Sequence, residues 1–319
     1  MKQNKENQKK PISRRETLKA MGIVVAGGAI AALAGKLLKS ESKPPECITE
    51  AERNSIIEDP DAGYIKLSTF RLKEKITRFA LAGDNIIIAA GQKIYVCSEN
   101  GEQQEAFHIK ENLRDLTIDK DEIYALYPNS IEVYKFDGQQ VRQWEACDNS
   151  SDYCSLTIAK DNVFVSDSGN KNICKYTTEG NFLKFISSPK GFIIPSFLFD
   201  IASYNDEIYC VNSGRHKIEV YTLDGEFVRD FGKPGTEAGA FAGCCNPAYM
   251  TISNEGQMLV SEKGIPRISM FERNGTFDEV LMNSTSLGGG TKPYGMRIAN
   301  NKLYISNRKT MKIMQRMKV

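Results

Sequence analysis

Two cysteines that are neighbours in the chain, Cys244 and Cys245, are the residues of this sequence with the most unusual potential for chemistry. Adjacent thiols can close a strained disulfide, pair with separate cysteines, or bind a soft metal ion as thiolates. Asn246 follows them directly. We interpret these three residues as part of a ligand-binding site, and the sequence leaves the alternatives for the two sulfur atoms open.

A charged segment containing glycine and proline follows in the same part of the chain and contributes Glu262, Lys263 and Arg267. Ammonium and guanidinium groups pair with carboxylates and phosphates. Lys263 and Arg267, together with Arg297, could therefore bind an anionic ligand. The alternative is that each is an ordinary solvated surface charge. We predict that this segment and the cysteine pair share one binding face.

Oxygen-bearing side chains stand at the ends of short apolar runs, at equivalent points along the chain: Asp167, Asn212, Glu262 and Asn307. Carboxylate and amide oxygens are the ligands that hard cations such as Ca²⁺ prefer. If the four side chains converge, they would form a divalent-metal site. The alternative is structural, because Asp and Asn also cap turns. No catalytic base beside such a metal can be identified, so the pattern specifies no reaction.

The other cysteines do not suggest a disulfide scaffold, because the whole chain has eight in 319 residues. Cys147 and Cys154 flank a polar segment, and we predict a disulfide that closes this loop. Cys97, Cys174 and Cys210 fall within apolar runs and are expected to pack as small hydrophobic residues. The chain has only two histidines and lacks C-x-x-C-H, which argues against a His-rich metal site and that type of haem attachment.

The charge is distributed unevenly. The formal net charge is +2, but residues 1–40 contain nine Lys/Arg and two Glu. The remainder holds 33 basic and 38 acidic residues, a net charge of −5. Nucleic-acid binding requires a basic face, and we therefore expect no nucleic-acid partner for the main body of the chain.

The N-terminal segment has the pattern of a targeting sequence. Arg14 and Arg15 precede Leu18-Lys19, and an apolar run rich in Gly and Ala covers residues 20–34. This pattern resembles a twin-arginine (Tat) export signal, although Thr17 stands where Phe is usual. The run is short for a membrane-spanning helix. The resemblance implies export of a folded chain by the Tat machinery, to the periplasm or the outer face of the cytoplasmic membrane. Any membrane association would then involve only this segment.

A repeat organises the rest of the chain. Glycine-centred turns recur at intervals of 37, 42, 45 and 50 residues, at Gly101, Gly138, Gly180, Gly225 and Gly275. Three short β-branched or aromatic runs precede each turn and a fourth follows. Four short strands at a period near forty residues indicate a β-propeller blade.

The count of repeats predicts a closed ring of six blades. Five copies are complete, and the sixth supplies only three strands, 295–299, 303–306 and 311–317. The alternating segment 64–72 supplies the missing strand and removes the free sheet edges. We therefore predict an all-β, six-bladed propeller over residues 63–319, a linker over 36–62, and a signal peptide or anchor helix over 1–35.

The copies resemble NHL repeats, most clearly in the segments 165–170 and 211–221 and in the Asp-Gly turn followed by an aromatic residue. The resemblance covers residues 64–319 and implies a propeller whose loops gather ligands at one mouth of the axial channel. Fold does not supply function. We expect an exported module that binds a protein or a small molecule, or provides a scaffold. The alternatives are a metal-dependent hydrolase similar to gluconolactonase and regucalcin, and a cysteine-based redox or metal protein.

Overall fold

The computed structural model describes residues 64–287 and 292–316, which form six antiparallel sheets of four strands each. The predicted six-bladed β-propeller is confirmed. The proposed signal, the linker and Cys47 lie outside the described residues. No helix in the described part of the chain is long and apolar enough to cross a membrane.

The first two blades and the closing strand contain β1 (Tyr64–Arg71), β2 (Ile76–Ala82), β3 (Asn85–Ala90), β4 (Lys93–Cys97), β5 (Gln103–His108), β6 (Asp115–Asp119), β7 (Glu122–Tyr127), β8 (Ser130–Lys135) and β9 (Gln140–Glu145). The next two blades contain β10 (Tyr153–Ala159), β11 (Asn162–Asp167), β12 (Asn172–Thr177), β13 (Phe182–Ile186), β14 (Ile201–Tyr204), β15 (Glu207–Asn212), β16 (Lys217–Thr222) and β17 (Phe227–Phe231).

The last two blades contain β18 (Tyr249–Ile252), β19 (Met258–Ser261), β20 (Ile268–Phe271), β21 (Phe277–Met282), β22 (Gly295–Ala299), β23 (Lys302–Asn307) and β24 (Thr310–Arg316). A 3-10 turn covers Ser213–Arg215, and a short helix, α1, covers Ser284–Leu287. Blades one to five are β2–β5, β6–β9, β10–β13, β14–β17 and β18–β21.

Blade six closes the ring with a strand from the other end of the described chain. Its sheet has the order β1-β24-β23-β22, and β1 pairs antiparallel with β24 from Tyr64 opposite Arg316 to Arg71 opposite Thr310. This pairing confirms the predicted closure. It also gives the last blade the same number of strands as the others, so no edge of the ring is left open.

The middle strands of each blade are buried, and the outer strands are exposed. Residues 123–127 of β7 and 172–176 of β12 are all buried, because both faces of these strands pack against neighbouring blades. The outer strand β13 exposes four of its five residues. Burial of every residue along a strand is typical of strands covered on two faces.

The recurring glycines allow each blade to pack closely against a large side chain of the preceding blade. Gly180 has φ +92° and its backbone N–H donates to the Thr177 carbonyl. A Cβ built on it would lie 2.7 Å from the indole of Trp144 in the blade before. Gly275 makes the same close approach to Phe231. Only glycine combines this left-handed backbone with a large side chain packed directly on it.

The first strand of blade four differs from the sequence prediction. The apolar run 199–201 predicts a strand that begins at Phe199, but β14 begins at Ile201. The preceding loop is apolar because its aromatic side chains belong to the core: Phe192 and Phe199 are both buried, with ring centroids 4.7 Å apart. Because residues of a core-filling loop have the composition of a buried strand, the run predicts the start of this strand two residues too early.

Candidate functional site

The cysteine loop and the charged loop of blade five are held together by one side chain. The Asn246 amide donates to the carbonyls of Ala242 (2.6 Å) and Lys263 (2.7 Å) and accepts a hydrogen bond from the Lys263 backbone (2.9 Å). The Lys263 ammonium donates to Ser196, 3.0 Å away in the loop before blade four. The structure therefore brings Cys244–Asn246 and Lys263 together at one face of blade five. Asn246 is a structural bridge in this arrangement.

Arg267 is not placed as a ligand-binding residue. Its side chain is 0% exposed and its Nε lies 2.5 Å from a Glu262 oxygen. The guanidinium also donates to the backbone carbonyls of Thr236, Glu237 and Ala240. The other Glu262 oxygen accepts the Ala242 N–H at 3.0 Å. This buried pair fastens the loop 233–242 to blade five, which corrects the predicted anion-binding role of Arg267.

The predicted Cys147–Cys154 disulfide is not what the structure shows. All seven cysteines in the described part of the chain are thiols. The Cys147 sulfur lies 3.6 Å from that of Cys174, while the Cys154 thiol donates to the Asp152 carbonyl. The two residues belong to different core clusters. Burial raises the pKa of the Cys154 thiol to about 11, so it behaves as a packed side chain.

Asp167, Asn212 and Asn307 end their strands, and Glu262 directly follows one. Asn307 lines the channel cavity, whereas the oxygens of the other three bond loop backbone. Asp167 accepts N–H groups of Asp152 (2.8 Å) and Gly169 (2.9 Å). Asn212 accepts the Ile193 N–H at 2.9 Å. Together with Glu262, they fit the alternative role as caps. Within residues 64–287 and 292–316, no three His, Cys, Asp or Glu side chains are grouped to hold a metal.

A different set of side chains does converge on the axis. One residue per blade lies near the channel end of the first strand. In blades two, four, five and six it stands immediately before or at the start of the pairing with the second strand, and in blades one and three it directly follows a register shift near that start. The first strands contact one another in ring order. We call this set the axial ring; it contains Arg78, Asp115, Ser155, Asp200, Tyr249 and Gly295.

Hydrogen bonds connect the axial ring across blades. The Arg78 Nε lies 3.2 Å from an Asp115 oxygen, and its Cζ lies 4.3 Å from the centroid of the Tyr249 ring. The Ser155 Oγ lies 2.6 Å from Asp115 and 2.8 Å from Asp200. A hydroxyl carries one proton and can donate to only one of these carboxylates at a time. The other contact requires a proton on a carboxyl group.

The environment of Asp200 favours that proton. Burial, and then the charge of Asp115, raise its pKa from 3.8 to about 6, against the lowering effect of Arg78. The Met250 N–H also donates to Asp200 at 2.7 Å. Although burial disfavours the charge of Arg78, Tyr249, Asp115 and Asp200 raise its pKa above the ordinary value. The ring therefore holds one fixed cation, and Asp200 carries a proton at pH values below about 6.

A cavity of about 390 Å³ opens above the axial ring and is lined by residues from all six blades. Its charged lining residues are all basic: Lys75, Arg78, Arg114, Lys292, Arg297 and Arg308. We call this space the basic cavity. A second cavity of about 270 Å³ lies on the other side of the ring and contains Asp115, Asp119 and Asp200 together with Arg297. The channel thus has a basic mouth and an acidic interior.

Sequence reasoning found Arg297 but missed the rest of the basic cavity. A usable signal was present, because the connected ring residues follow the repeat: Arg78 and Asp115 are 37 residues apart, and Asp115 and Ser155 are 40 apart. Comparing equivalent positions near the start of each first strand would have found them. The two-residue shift in blade four concealed Asp200.

Comparisons with known proteins support the fold. No family model matches the chain. Over 122 residues it is 28% identical to Protein brain tumor of Drosophila melanogaster, covering 37% of this chain but only 11% of that protein. This match supports the resemblance to NHL repeats.

Comparison with solved structures also supports the propeller fold. A streptogramin B lyase superposes with a TM-score of 0.57 at 12% identity, covering 79% of this chain and 97% of that one. A gluconolactonase from Xanthomonas campestris gives 0.58 at 12% identity, covering 86% and 95%. At such identities the similarity shows the propeller fold alone.

Proposed function

We propose that this chain is an exported binding module whose basic cavity holds a small organic anion. The observation that carries the proposal is the lining of the cavity. It has six Lys or Arg side chains and, among the described residues, no Asp or Glu. Like charges gathered in a cleft focus the electrostatic potential and attract a counter-charge.

Four of these cations are available to a ligand. Arg78 and Arg114 are paired with Asp115 and Asp152. In the part of the chain that the structure describes, no carboxylate forms an ion pair with the other four, Lys75, Lys292, Arg297 and Arg308. Arg297 is half-buried, and its guanidinium is 5.7 Å from the ring of Phe79. A partly desolvated guanidinium suits bidentate recognition of a carboxylate or phosphate.

The rim of the cavity also offers an apolar contact. Phe197 lines it, is 62% exposed, and has a left-handed backbone with φ +57°. This conformation is unfavourable for a bulky residue, and such strain clusters at ligand sites. An anionic group attached to an aromatic or apolar body would pair with the cations and stack on Phe197.

The hydrolase alternative is less well supported. The oxygens of Asp167, Asn212 and Glu262 already accept hydrogen bonds from loop backbone or from Arg267. Using them as metal ligands would require these caps to be broken. Binding of an anion requires no such rearrangement.

Calorimetric titration with phenyl phosphate and inorganic phosphate in low-salt buffer tests the proposal. We expect phenyl phosphate to bind more tightly, because only it can contact Phe197. The double variant Arg297→Gln/Arg308→Gln is expected to lose about tenfold or more in affinity for both probes, since each charge-assisted hydrogen bond contributes about 1.5–3 kcal/mol. Phe197→Ser is expected to remove the difference between the probes.

Two exposed lysines in hairpins at the opposite end of the blades provide a control with the same change in charge. Lys120 and Lys160 are 74% and 65% exposed. Lys120→Gln/Lys160→Gln is expected to bind both probes as the unmodified chain does. Equal losses of affinity in the two double variants would mean that binding depends only on the overall charge of the chain, and would refute a specific site.

The export part of the proposal rests on Arg14 and Arg15. Replacing both by Lys keeps the positive charge and removes the arginine pair that the twin-arginine resemblance requires. We expect the variant to accumulate in the cytoplasm, measured by cell fractionation and immunoblotting. Unchanged export of this variant would refute the twin-arginine route without affecting the anion site.

A further inference from the structure

The adjacent thiols Cys244 and Cys245 form a second potential site beside the basic cavity. Their sulfur atoms lie 3.1 Å apart. Cys244 is half-buried, whereas Cys245 is only 5% exposed. The pair is thus asymmetric, because Cys244 is the more exposed residue and Cys245 is enclosed by protein.

The enclosed sulfur has an environment that suits a thiolate. Burial opposes ionisation of Cys245, but hydrogen bonding from Ser196 and Cys244 and the charge of Lys263 outweigh it and lower its pKa. Ser196 and Lys263 are 3.0 Å apart, and Asn246 fixes the Lys263 backbone against the cysteine loop. The charged partner is therefore positioned by the fold.

We propose that Cys244 and Cys245 form a redox-active dithiol–disulfide pair that exchanges with small-molecule thiols and disulfides. The inference does not depend on anion binding or on export. It uses side chains that the channel site leaves without a role.

The exchange proceeds in two balanced steps. In the oxidised pair, an external thiolate attacks the sulfur of Cys244, the more exposed of the two residues. The bond to Cys245 breaks, and Cys245 leaves as a thiolate beside Lys263. A second external thiol, deprotonated as it attacks, then displaces Cys244 from the mixed disulfide. One external disulfide is released, both cysteines are reduced, and two electrons have been transferred. An external disulfide reverses both steps.

Covalent geometry makes this pair easy to reduce. The Cα atoms of adjacent residues lie about 3.8 Å apart, whereas ordinary disulfides span about 4.4–6.8 Å. A disulfide between neighbours is therefore strained, and strained disulfides are the labile ones. A leaving thiol of low pKa speeds the reduction further.

The cysteine pair in the blade-three region provides an internal contrast. Cys147 and Cys174 have sulfurs 3.6 Å apart, but Cys174 is fully buried and its burial, followed by the nearby Cys147, raises its pKa well above the ordinary value. Both cysteine pairs thus have neighbouring sulfur atoms. Accessibility and a cationic partner occur together only at Cys244–Cys245 among the described cysteine pairs.

The test uses the full chain, stripped of metals with a chelator and equilibrated in buffers of varied reduced-to-oxidised glutathione ratio. Acid quenching, alkylation and mass spectrometry then report the state of each cysteine. As the buffer becomes more oxidising, we expect Cys244 and Cys245 to become resistant to alkylation together in one transition, because they form an internal disulfide. Lys263→Gln should slow reduction by about threefold for each unit by which the Cys245 pKa rises. Cys147→Ser should leave both measurements unchanged.

Other outcomes would overturn the proposal. One is independent glutathionylation of Cys244 and Cys245 without an internal disulfide. Another is a pair that stays reduced in the most oxidising buffer. A pair that reacts only after the chelator treatment and rebinds stoichiometric metal would be a thiolate metal site instead. Cys244→Ser checks the assignment of roles, because in this variant Cys245 should form no internal disulfide.

Discussion

Arg267→Met is expected to lower the free energy of unfolding by about 3–5 kcal/mol, which is the cost of removing one partner of a buried ion pair and leaving the other charge uncompensated. The substitution leaves the Glu262 carboxylate, itself only 1% exposed, without its cation. It also leaves the carbonyls of Thr236, Glu237 and Ala240 without their guanidinium donor. Denaturant unfolding of the purified chain measures the effect.

A surface pair on the same loop provides the matched control. Lys233 and Glu237 form an ion pair 2.9 Å long, with side chains 63% and 56% exposed. Exposed pairs contribute about 0–1 kcal/mol, so Lys233→Met should change stability by no more than that. A loss for Arg267→Met as small as that of Lys233→Met would contradict the structural role assigned to the Glu262–Arg267 pair.

Arg78→Met is expected to destabilise the chain more at pH 8 than at pH 5. The pKa of Asp200 is raised in the folded state to about 6. Stability from its bound proton is therefore present at low pH and is lost as the pH rises through about 6. Arg78→Met removes a positive charge that lowers this pKa, so ionised Asp200 is less stable in the variant. The loss of folding stability caused by the substitution is therefore larger at high pH, where Asp200 is ionised. We expect about 2–3 kcal/mol at pH 8 and about half of that at pH 5.

The double variant Arg78→Met/Asp200→Asn separates charge from packing. Without the second carboxyl group, the repulsion between Asp115 and Asp200 is gone, and the pH dependence of the loss should flatten. Asp115, Ser155, Tyr249 and Arg297 remain the polar groups around this position. Equal losses at pH 5 and pH 8 for Arg78→Met itself would mean that the carboxyl pair is not coupled to Arg78.

The fold could be predicted from the sequence because its signals are local and repeated. A positive-φ glycine follows the third strand in five blades, and the strands that surround it are short apolar runs. Even the closure by β1 follows from counting strands. Where a signal was ambiguous, as in the loop that carries Phe192 and Phe199, the predicted start of the strand was wrong, because core-filling loop residues have the same composition as a buried strand.

The functional surface was harder to predict because side-chain direction decides it. Arg267 and Arg297 look alike in the sequence, yet one is enclosed with Glu262 and the other lines the channel. The Cys147–Cys154 spacing suggested a loop disulfide, but the strand geometry places the two sulfurs in separate clusters. The axial ring is assembled from residues about forty positions apart, and it requires the register of every blade to be correct.

The position of a bound anion is the most direct test of the central claim that the basic cavity is the ligand site. Crystals of the chain soaked in selenate, with anomalous diffraction data collected at the selenium edge, would locate it. We predict a selenate peak inside the cavity, within hydrogen-bond distance of Arg297 and Arg308, that is absent from crystals of Arg297→Gln/Arg308→Gln. Selenate found only on exposed surface lysines, with the cavity empty, would contradict the proposed function.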